Sequence, residues 1–307
     1  MNNVLAPRPL HPKKWRKLPR WMMTGSDRQR DFFANAKCSL NKGVAKRREM
    51  AQQLTAQELE IPKEKGFLIL GPSTFPETQE LTRMACERVE SFDLTGIKTR
   101  KAQLKQGFID MNTLTLDSPY MKFALRPDVL TAISRYLGVV PILVDVDVWH
   151  STYPGTTEYE KSQLYHCDAI DVTQMKIFLY ASAVEEDAGP LVVMEAASSQ
   201  ELRDKLDYKF TPARIRVSDK EVEDNISAEH IHPIVGEAGT WAFVDTARCF
   251  HYGSRCGQGA EPRIVAVFEY YTPGAFVFPI DYRKKAPLKH LATPELEPIQ
   301  RLALGIE

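Results

Sequence analysis

The run Ile142-Leu143-Val144-Asp145-Val146-Asp147-Val148-Trp149 decides how this chain is read. Ile142, Val144, Val146 and Val148 alternate with Leu143, Asp145, Asp147 and Trp149, and a period of two is the pattern of a half-buried strand. Toward the C-terminus, further strand candidates are Met175 to Ala181, Gly189 to Met194, Thr240 to Val244 and Ile264 to Tyr271, separated by turn-prone or polar stretches. Several strands without clear intervening helices point to a sandwich or jelly roll.

Toward the N-terminus the texture changes. Gly66-Phe67-Leu68-Ile69-Leu70 is a short apolar run ended by Gly71-Pro72, consistent with a strand and a turn. A helix is expected next, with Pro76 near its first turn and Leu81, Met84, Ala85 and Val89 at offsets 0, 3, 4 and 8 forming one apolar stripe. A second helix is expected from Pro127 to Leu137, with Leu130, Ile133 and Leu137 on one face and Gly138 placed to end it. The expected organisation is a basic N-terminal extension over residues 1–60 and one domain over 61–307. Within that domain, 61–138 is a helical part, about 139–279 a jelly-roll core and 280–307 a tail.

The chain is long enough, at 307 residues, to bury a full core, and 43% hydrophobic residues with 40 basic against 40 acidic side chains describe an ordinary globular protein. Balanced charge gives no overall footprint for nucleic acid. Five cysteines, Cys38, Cys86, Cys167, Cys249 and Cys256, form no dense framework and favour a reducing compartment. No apolar run approaches the roughly 20 residues of a spanning helix, and no apolar signal core stands at the start, so a cytoplasmic location is expected. The first fifty residues carry thirteen Lys or Arg against three Asp or Glu, with Pro7, Pro9, Pro12 and Pro19 breaking any early helix. A solvated basic extension wrapped over the core is the plainest reading of that segment. An organelle transit peptide or a contact for an acidic partner are the sharper ones.

The chemistry starts at Leu164-Tyr165-His166-Cys167-Asp168, where an imidazole and a carboxylate stand two residues apart in a strand-like run. In an extended chain such positions share one face, roughly 6–7 Å apart at Cα, so a metal ion fits between them. Of the seven histidines, His251 lies just after the expected strand Thr240 to Val244. If that strand lies beside His166, two imidazoles and one carboxylate form the facial triad that holds Fe(II) and leaves positions open for substrate and oxygen. Arg263 follows twelve residues after His251, and its planar guanidinium can hold a carboxylate bidentately, as a dicarboxylate co-substrate would require.

The segments KGFLIL, LRPDVLTAISRYLG, SQLYHCD, MKIFLYASAVEEDAGPLVV, GTWAFVDTARCFHYGS and PRIVAVFEYYTP, in this order over about residues 62–278, resemble the phytanoyl-CoA dioxygenase family of Fe(II)- and 2-oxoglutarate-dependent oxygenases. The resemblance implies a mainly β fold with flanking helices, the double-stranded β-helix (jelly roll, cupin-like). It implies His166, Asp168 and His251 as iron ligands and Arg263 as the residue that holds the distal carboxylate of 2-oxoglutarate. Lys176, Ser254 and Gln163 follow as further contacts near the co-substrate, with an exposed strand lysine as the plain alternative for Lys176. The implied activity consumes O₂ and 2-oxoglutarate, releases succinate and CO₂, and oxidises a small-molecule substrate, foremost by hydroxylation. Related halogenases have a small residue where Asp168 stands, so its presence favours oxidation over halogenation. The chain departs from many relatives at Met194-Glu195-Ala196-Ala197-Ser198-Ser199, a segment expected on the substrate side.

Other constellations stay open at this stage. His230 and His232 with His251 would suit zinc, although Pro233 follows directly, and Cys249, His251 and Cys256 would need a fourth ligand. A jelly-roll module that binds a metal without turnover is the alternative from a different class. No phosphate-binding GxxxxGK[ST] loop, GxGxxG fingerprint or GxSxG elbow is present.

Overall fold

In the computed structural model, which describes residues 23–55, 58–92, 104–153, 155–156 and 158–307, the strands form two antiparallel sheets. The larger contains β1 (Phe67–Leu70), β2 (Leu104–Gln106), β3 (Ile142–Ser151), β4 (Gln174–Tyr180), β7 (Trp241–Val244) and β9 (Arg263–Tyr271) in the order β1-β7-β4-β9-β3-β2. The smaller contains β5 (Leu191–Met194), β6 (Ile231–Ile234) and β8 (His251–Tyr252) in the order β6-β5-β8. The helices are α1 (Asp27–Ser39), α2 (Lys42–Gln53), α3 (Thr78–Glu90), α4 (Pro119–Ala124), α5 (Pro127–Leu137), α6 (Ala196–Lys205), α7 (Asp219–Glu223) and α8 (Pro298–Ala303).

Period-two alternation divides the larger sheet into two faces with different neighbours. Ile177 and Leu179 of β4, Trp241 and Phe243 of β7, and Ala266 and Phe268 of β9 pack under Leu81, Ala85 and Val89 of α3 and Leu130 and Ile133 of α5. The opposite face presents Phe178, Tyr180, Ala242, Val244, Val265 and Val267, which meet Leu191 and Val193 of β5 and Ile234 of β6. The result is a jelly roll covered by helices on its outer side, with the two sheets facing each other and not closed into a continuous barrel. Both expected helices form as read: α5 spans Pro127–Leu137, and Gly138 ends it at φ 69°, a left-handed conformation that glycine adopts without strain. A register shift between Leu143 and Asp145 interrupts the alternation of β3, so Leu143 and Val146 both face the helical layer.

Three differences from the expected organisation have physical causes. Leu164 to Asp168 does not form a regular strand: Tyr165 and His166 make single bridges to Val217 and His251, and the chain then turns away. Where no strand is expected around His230-Ile231-His232, residues Ile231–Ile234 form strand β6, in which Pro233 sits at a sheet edge that needs no donor from it. Met194 to Ser199, expected on the substrate side, starts α6, and Ser199 is buried there accepting from the Phe250 N–H at 2.9 Å.

Residues 1–22, with their prolines and the transit-peptide reading, lie outside the described residues. Against the expectation of a solvated extension, the described basic residues Arg30, Lys37 and Arg47 of α1 and α2 are buried. Each donates to backbone carbonyls far along the chain. Arg47 donates to Val140 O at 2.9 Å, Pro141 O at 3.2 Å, Leu302 O at 2.6 Å and the Tyr282 hydroxyl at 2.7 Å. Among the described residues, no helix is long and apolar enough to cross a membrane. Arg47→Ala strands several buried carbonyls, and since charge-assisted bonds contribute about 1.5–3 kcal/mol each, urea unfolding is expected to show a loss of about 3 kcal/mol or more. A loss below about 1 kcal/mol would contradict this role.

Candidate metal centre

His166 and His251 are an antiparallel pair, exchanging N–H to carbonyl bonds of 3.1 and 3.0 Å in the two directions. The exchange puts both side chains on one face, with ring centroids 4.3 Å apart. Asp168 is held two residues further on by its own N–H, which donates to Thr246 O at 2.7 Å. One ligand-type atom from each of His166, Asp168 and His251 lies within 4.8 Å of the others, and among the described residues this is the group able to hold a metal ion.

Hydrogen bonds decide which atoms are free. His166 Nδ1 meets Leu164 O at 2.9 Å and His251 Nδ1 meets Cys249 O at 3.0 Å. A carbonyl only accepts, so both Nδ1 atoms carry the proton and both Nε2 lone pairs point outward as ligands. Burial pushes both imidazoles below their ordinary pKa, and for His166 the neighbouring His251 adds to this, which keeps the rings neutral as ligation requires. On Asp168, Lys176 Nζ at 2.9 Å and Gln174 Nε2 at 3.0 Å both bond Oδ2. Oδ1 is therefore the oxygen left for a metal, and a single-oxygen ligand leaves more coordination positions open.

The charges around Asp168 are arranged in a chain. Lys176 also contacts Glu269 Oε1 at 3.2 Å, and the Tyr271 hydroxyl donates to Glu269 Oε2 at 2.5 Å. Burial alone would raise the Asp168 carboxyl, but the Lys176 ammonium beside it holds it well below the usual carboxylate range. Burial likewise opposes the charge on Lys176, and Asp168 with Glu269 outweighs it and raises the ammonium. Lys176 is thus buried and ion-paired rather than an exposed strand lysine. Sequence reading missed Gln174 and Glu269. Glu269 could have been suspected, because it interrupts the apolar run Ile264 to Tyr271 and is paired in register with Lys176.

Buried cations hold the ligand segments from behind. Arg30 of α1 donates to Ala169 O at 3.0 Å and Asp171 O at 2.8 Å, next to Asp168. Arg203 of α6 donates to Arg248 O at 2.7 Å and to Cys167 Sγ at 3.4 Å. Asp245 accepts from Thr173 Oγ1 at 2.6 Å and from the Ala247 and Arg248 N–H groups at 3.1 Å each, closing the turn that leads into β8.

The triad opens into a cavity of about 640 Å³ between the sheets, lined by both sheets and by the Ile215-Arg216 segment. Arg263 lines it as well, and its Nη2 donates to Ser254 Oγ at 2.9 Å and Ser151 Oγ at 3.3 Å. Its Nε is buried without a partner, and no described carboxylate pairs with this guanidinium. Ser254 is in the cavity wall at φ 63°, while Gln163 is not: the Gln163 amide donates to Ser254 O at 2.8 Å and supports that turn from outside.

The zinc alternatives are not assembled. β5 separates β6 from β8, which puts His232 roughly 9–10 Å from His251 across the sheet, and His230 and His232 both bond Glu195, at 3.0 and 3.1 Å. Cys249 Sγ donates to Lys65 O and Cys256 Sγ to Ala188 O, each as an ordinary buried thiol.

No protein-family model and no curated protein sequence matches the chain. Among solved structures it is similar to HygX from Streptomyces hygroscopicus with nickel and 2-oxoglutarate bound, at 13% identity over 68% of this chain and 83% of that one, with a TM-score of 0.44. It is also similar to the epimerase SnoN in complex with Fe³⁺, alpha ketoglutarate and nogalamycin RO, at 14% identity, 74% and 85% coverage, and a TM-score of 0.48. A third is EctD from S. alaskensis in its apoform, at 14% identity, 80% and 84% coverage, and a TM-score of 0.47.

Substituting an outer residue that orients a metal ligand typically weakens metal affinity about 10- to 100-fold. Lys176→Met is expected to lower Ni(II) or Mn(II) affinity by that factor in calorimetry, with the far-ultraviolet spectrum unchanged. Wild-type affinity in a folded variant would show that Lys176 does not position Asp168.

Proposed function

We propose that the chain is an Fe(II)- and 2-oxoglutarate-dependent dioxygenase that oxidises a small molecule, foremost by hydroxylation, and releases succinate and CO₂. One observation carries this reading: the cavity lined by His166, Asp168 and His251 is also lined by the buried guanidinium of Arg263, with which no described carboxylate pairs and whose Nε has no partner. Two imidazoles and a carboxylate on one face are the donor set that suits Fe(II) with positions left open. The Arg263 guanidinium lies against Gly253, two residues beyond His251, or roughly 6–7 Å along an extended chain. That separation suits a five-carbon dicarboxylic acid reaching from the metal to Arg263, with Ser254 and Ser151 fixing the guanidinium.

When bound, Fe(II) with 2-oxoglutarate and O₂ supplies the oxidative chemistry. The chain's own residues do the rest. Leu164 and Cys249 carbonyls hold the imidazole tautomers, Lys176 and Gln174 restrict Asp168 to one free oxygen, and Arg263 anchors the far carboxylate. The apolar layer of Phe178, Leu191 and Val265 beside Arg263 excludes water from that end. The finer placement with the phytanoyl-CoA dioxygenase-like oxygenases rests on the ordered segments of residues 62–278.

Loss of a charge-assisted pair contributes about 1.5–3 kcal/mol, or roughly 10- to 100-fold in affinity. Arg263→Gln is therefore expected to weaken 2-oxoglutarate binding by that factor in anaerobic calorimetry while metal affinity stays at the wild-type value. Unchanged 2-oxoglutarate affinity would remove Arg263 from the co-substrate site. Asp168→Ala is expected to abolish succinate formation, and full turnover in that variant would remove Asp168 from the metal centre.

A further inference from the structure

Arg216 is a charged cavity group that neither the metal-centre network nor the Arg263 end uses. The Val217 N–H donates to Tyr165 O at 2.9 Å, which fixes the segment carrying Arg216 beside the His166 stretch. The side chain is half-buried in the cavity wall, close enough for its charge to act on Asp168 and on both imidazoles. Its hydrogen bond goes from Nη1 to the carbonyl of its own neighbour Ile215 at 3.2 Å, and no described carboxylate pairs with it.

The other cations of this region are accounted for. Lys176 is neutralised by Asp168 and Glu269, Arg203 pairs with Asp27 and donates to Arg248 O, Arg30 serves backbone carbonyls, Lys161 contacts Glu160, and Arg263 donates to Ser254 and Ser151. A guanidinium moved out of water without a counter-anion loses solvation, so its place in a cavity wall is suited to an anion that arrives with a ligand. Ile215 stands beside it in the chain, and Val144, Ile170 and Leu104 give the same cavity apolar wall, with Gln106, Asp145, Lys161 and Ser162 as its other polar lining apart from the metal centre and the Arg263 end.

We propose that Arg216 anchors an anionic group of the substrate, and that the substrate is a small molecule with a carboxylate on an otherwise apolar body. Resting on the dioxygenase reading above, the inference adds the substrate class and a specificity-determining residue. The carboxylate pairs with Arg216 while the apolar body lies along Val144, Ile170 and Ile215, which presents a carbon of that body toward the open face of the triad. The rival occupant for Arg216 is the metal-side carboxylate of 2-oxoglutarate itself.

The test is anaerobic calorimetry on the full chain loaded with Fe(II) and 2-oxoglutarate, using butanoate, octanoate and phenylacetate, each against its neutral amide. At least one acid is expected to bind ten times or more tightly than its amide. Arg216→Gln is expected to erase that preference and leave 2-oxoglutarate affinity within twofold, and Arg216→Lys to keep part of it. Equal binding of acids and amides, or no binding of any acid to the loaded protein, overturns the inference alone. A loss of 2-oxoglutarate affinity in Arg216→Gln matching the loss of acid binding overturns it by assigning Arg216 to the co-substrate. Failure of the wild-type protein to take up Fe(II) and 2-oxoglutarate overturns the dioxygenase reading, and this inference with it.

Discussion

The site depends on a backbone constraint: His166 and His251 exchange both of their main-chain hydrogen bonds, and each ring then donates Nδ1–H to the carbonyl two residues before it. The main-chain exchange sets the distance between the rings. The ring bonds set which nitrogen is left free. Two short segments far apart in the chain thereby present matched Nε2 atoms, with the ring centroids 4.3 Å apart. Asp168 joins them because the chain turns immediately after the bridge, and the turn is held by Thr246 O on one side and Arg30 on the other.

Around this pair the protein places a polar network inside an apolar sandwich. A buried ion pair of the kind Lys176 makes with Asp168 and Glu269 adds little stability over apolar packing, because desolvation offsets most of the attraction. Its use here is orientation: both donors to Asp168 fall on Oδ2, so the carboxylate has one free oxygen and one direction. The larger sheet supplies this network from one face only. Lys176 and Glu269 face the cavity, while Ile177 and Phe268 beside them face the helices. The same strands therefore provide both the rigid core and the polar network, and α1 of the basic segment braces the stretch after Asp168 through Arg30.

Much of this was legible in the sequence, for reasons that are physical. Period-two patterning marked β3, strand-type runs separated by turn-prone or polar stretches marked β4, β5, β7 and β9, and a proline start with a glycine end marked α5. The candidate triad, whose three residues the fold brings together, could be picked out because His-x-Asp in an extended run and a second histidine after a strand gain specificity once Arg263 stands nearby. What could not be read depends on tertiary contacts with no local signature. β8 is two residues long, and β6 contains a proline, so neither shows a strand pattern. Arg30, Arg47 and Arg203 look like solvated charges until the carbonyls they serve are brought to them by the fold. Gln163 carried a positional signal toward the co-substrate, but its amide is turned to the Ser254 carbonyl instead.

The central claim is that His166, Asp168 and His251 hold Fe(II) with open positions that 2-oxoglutarate can fill. The most direct measurement is an anaerobic titration of the purified protein with Fe(II) and then 2-oxoglutarate, following the weak visible absorption that the metal and a 2-keto acid give together, with His166→Ala alongside. The account predicts a band that saturates at one equivalent of each in the wild-type protein and is absent in the variant. A folded, metal-loaded wild-type protein that shows no band, or a His166→Ala variant that keeps it, would contradict the account.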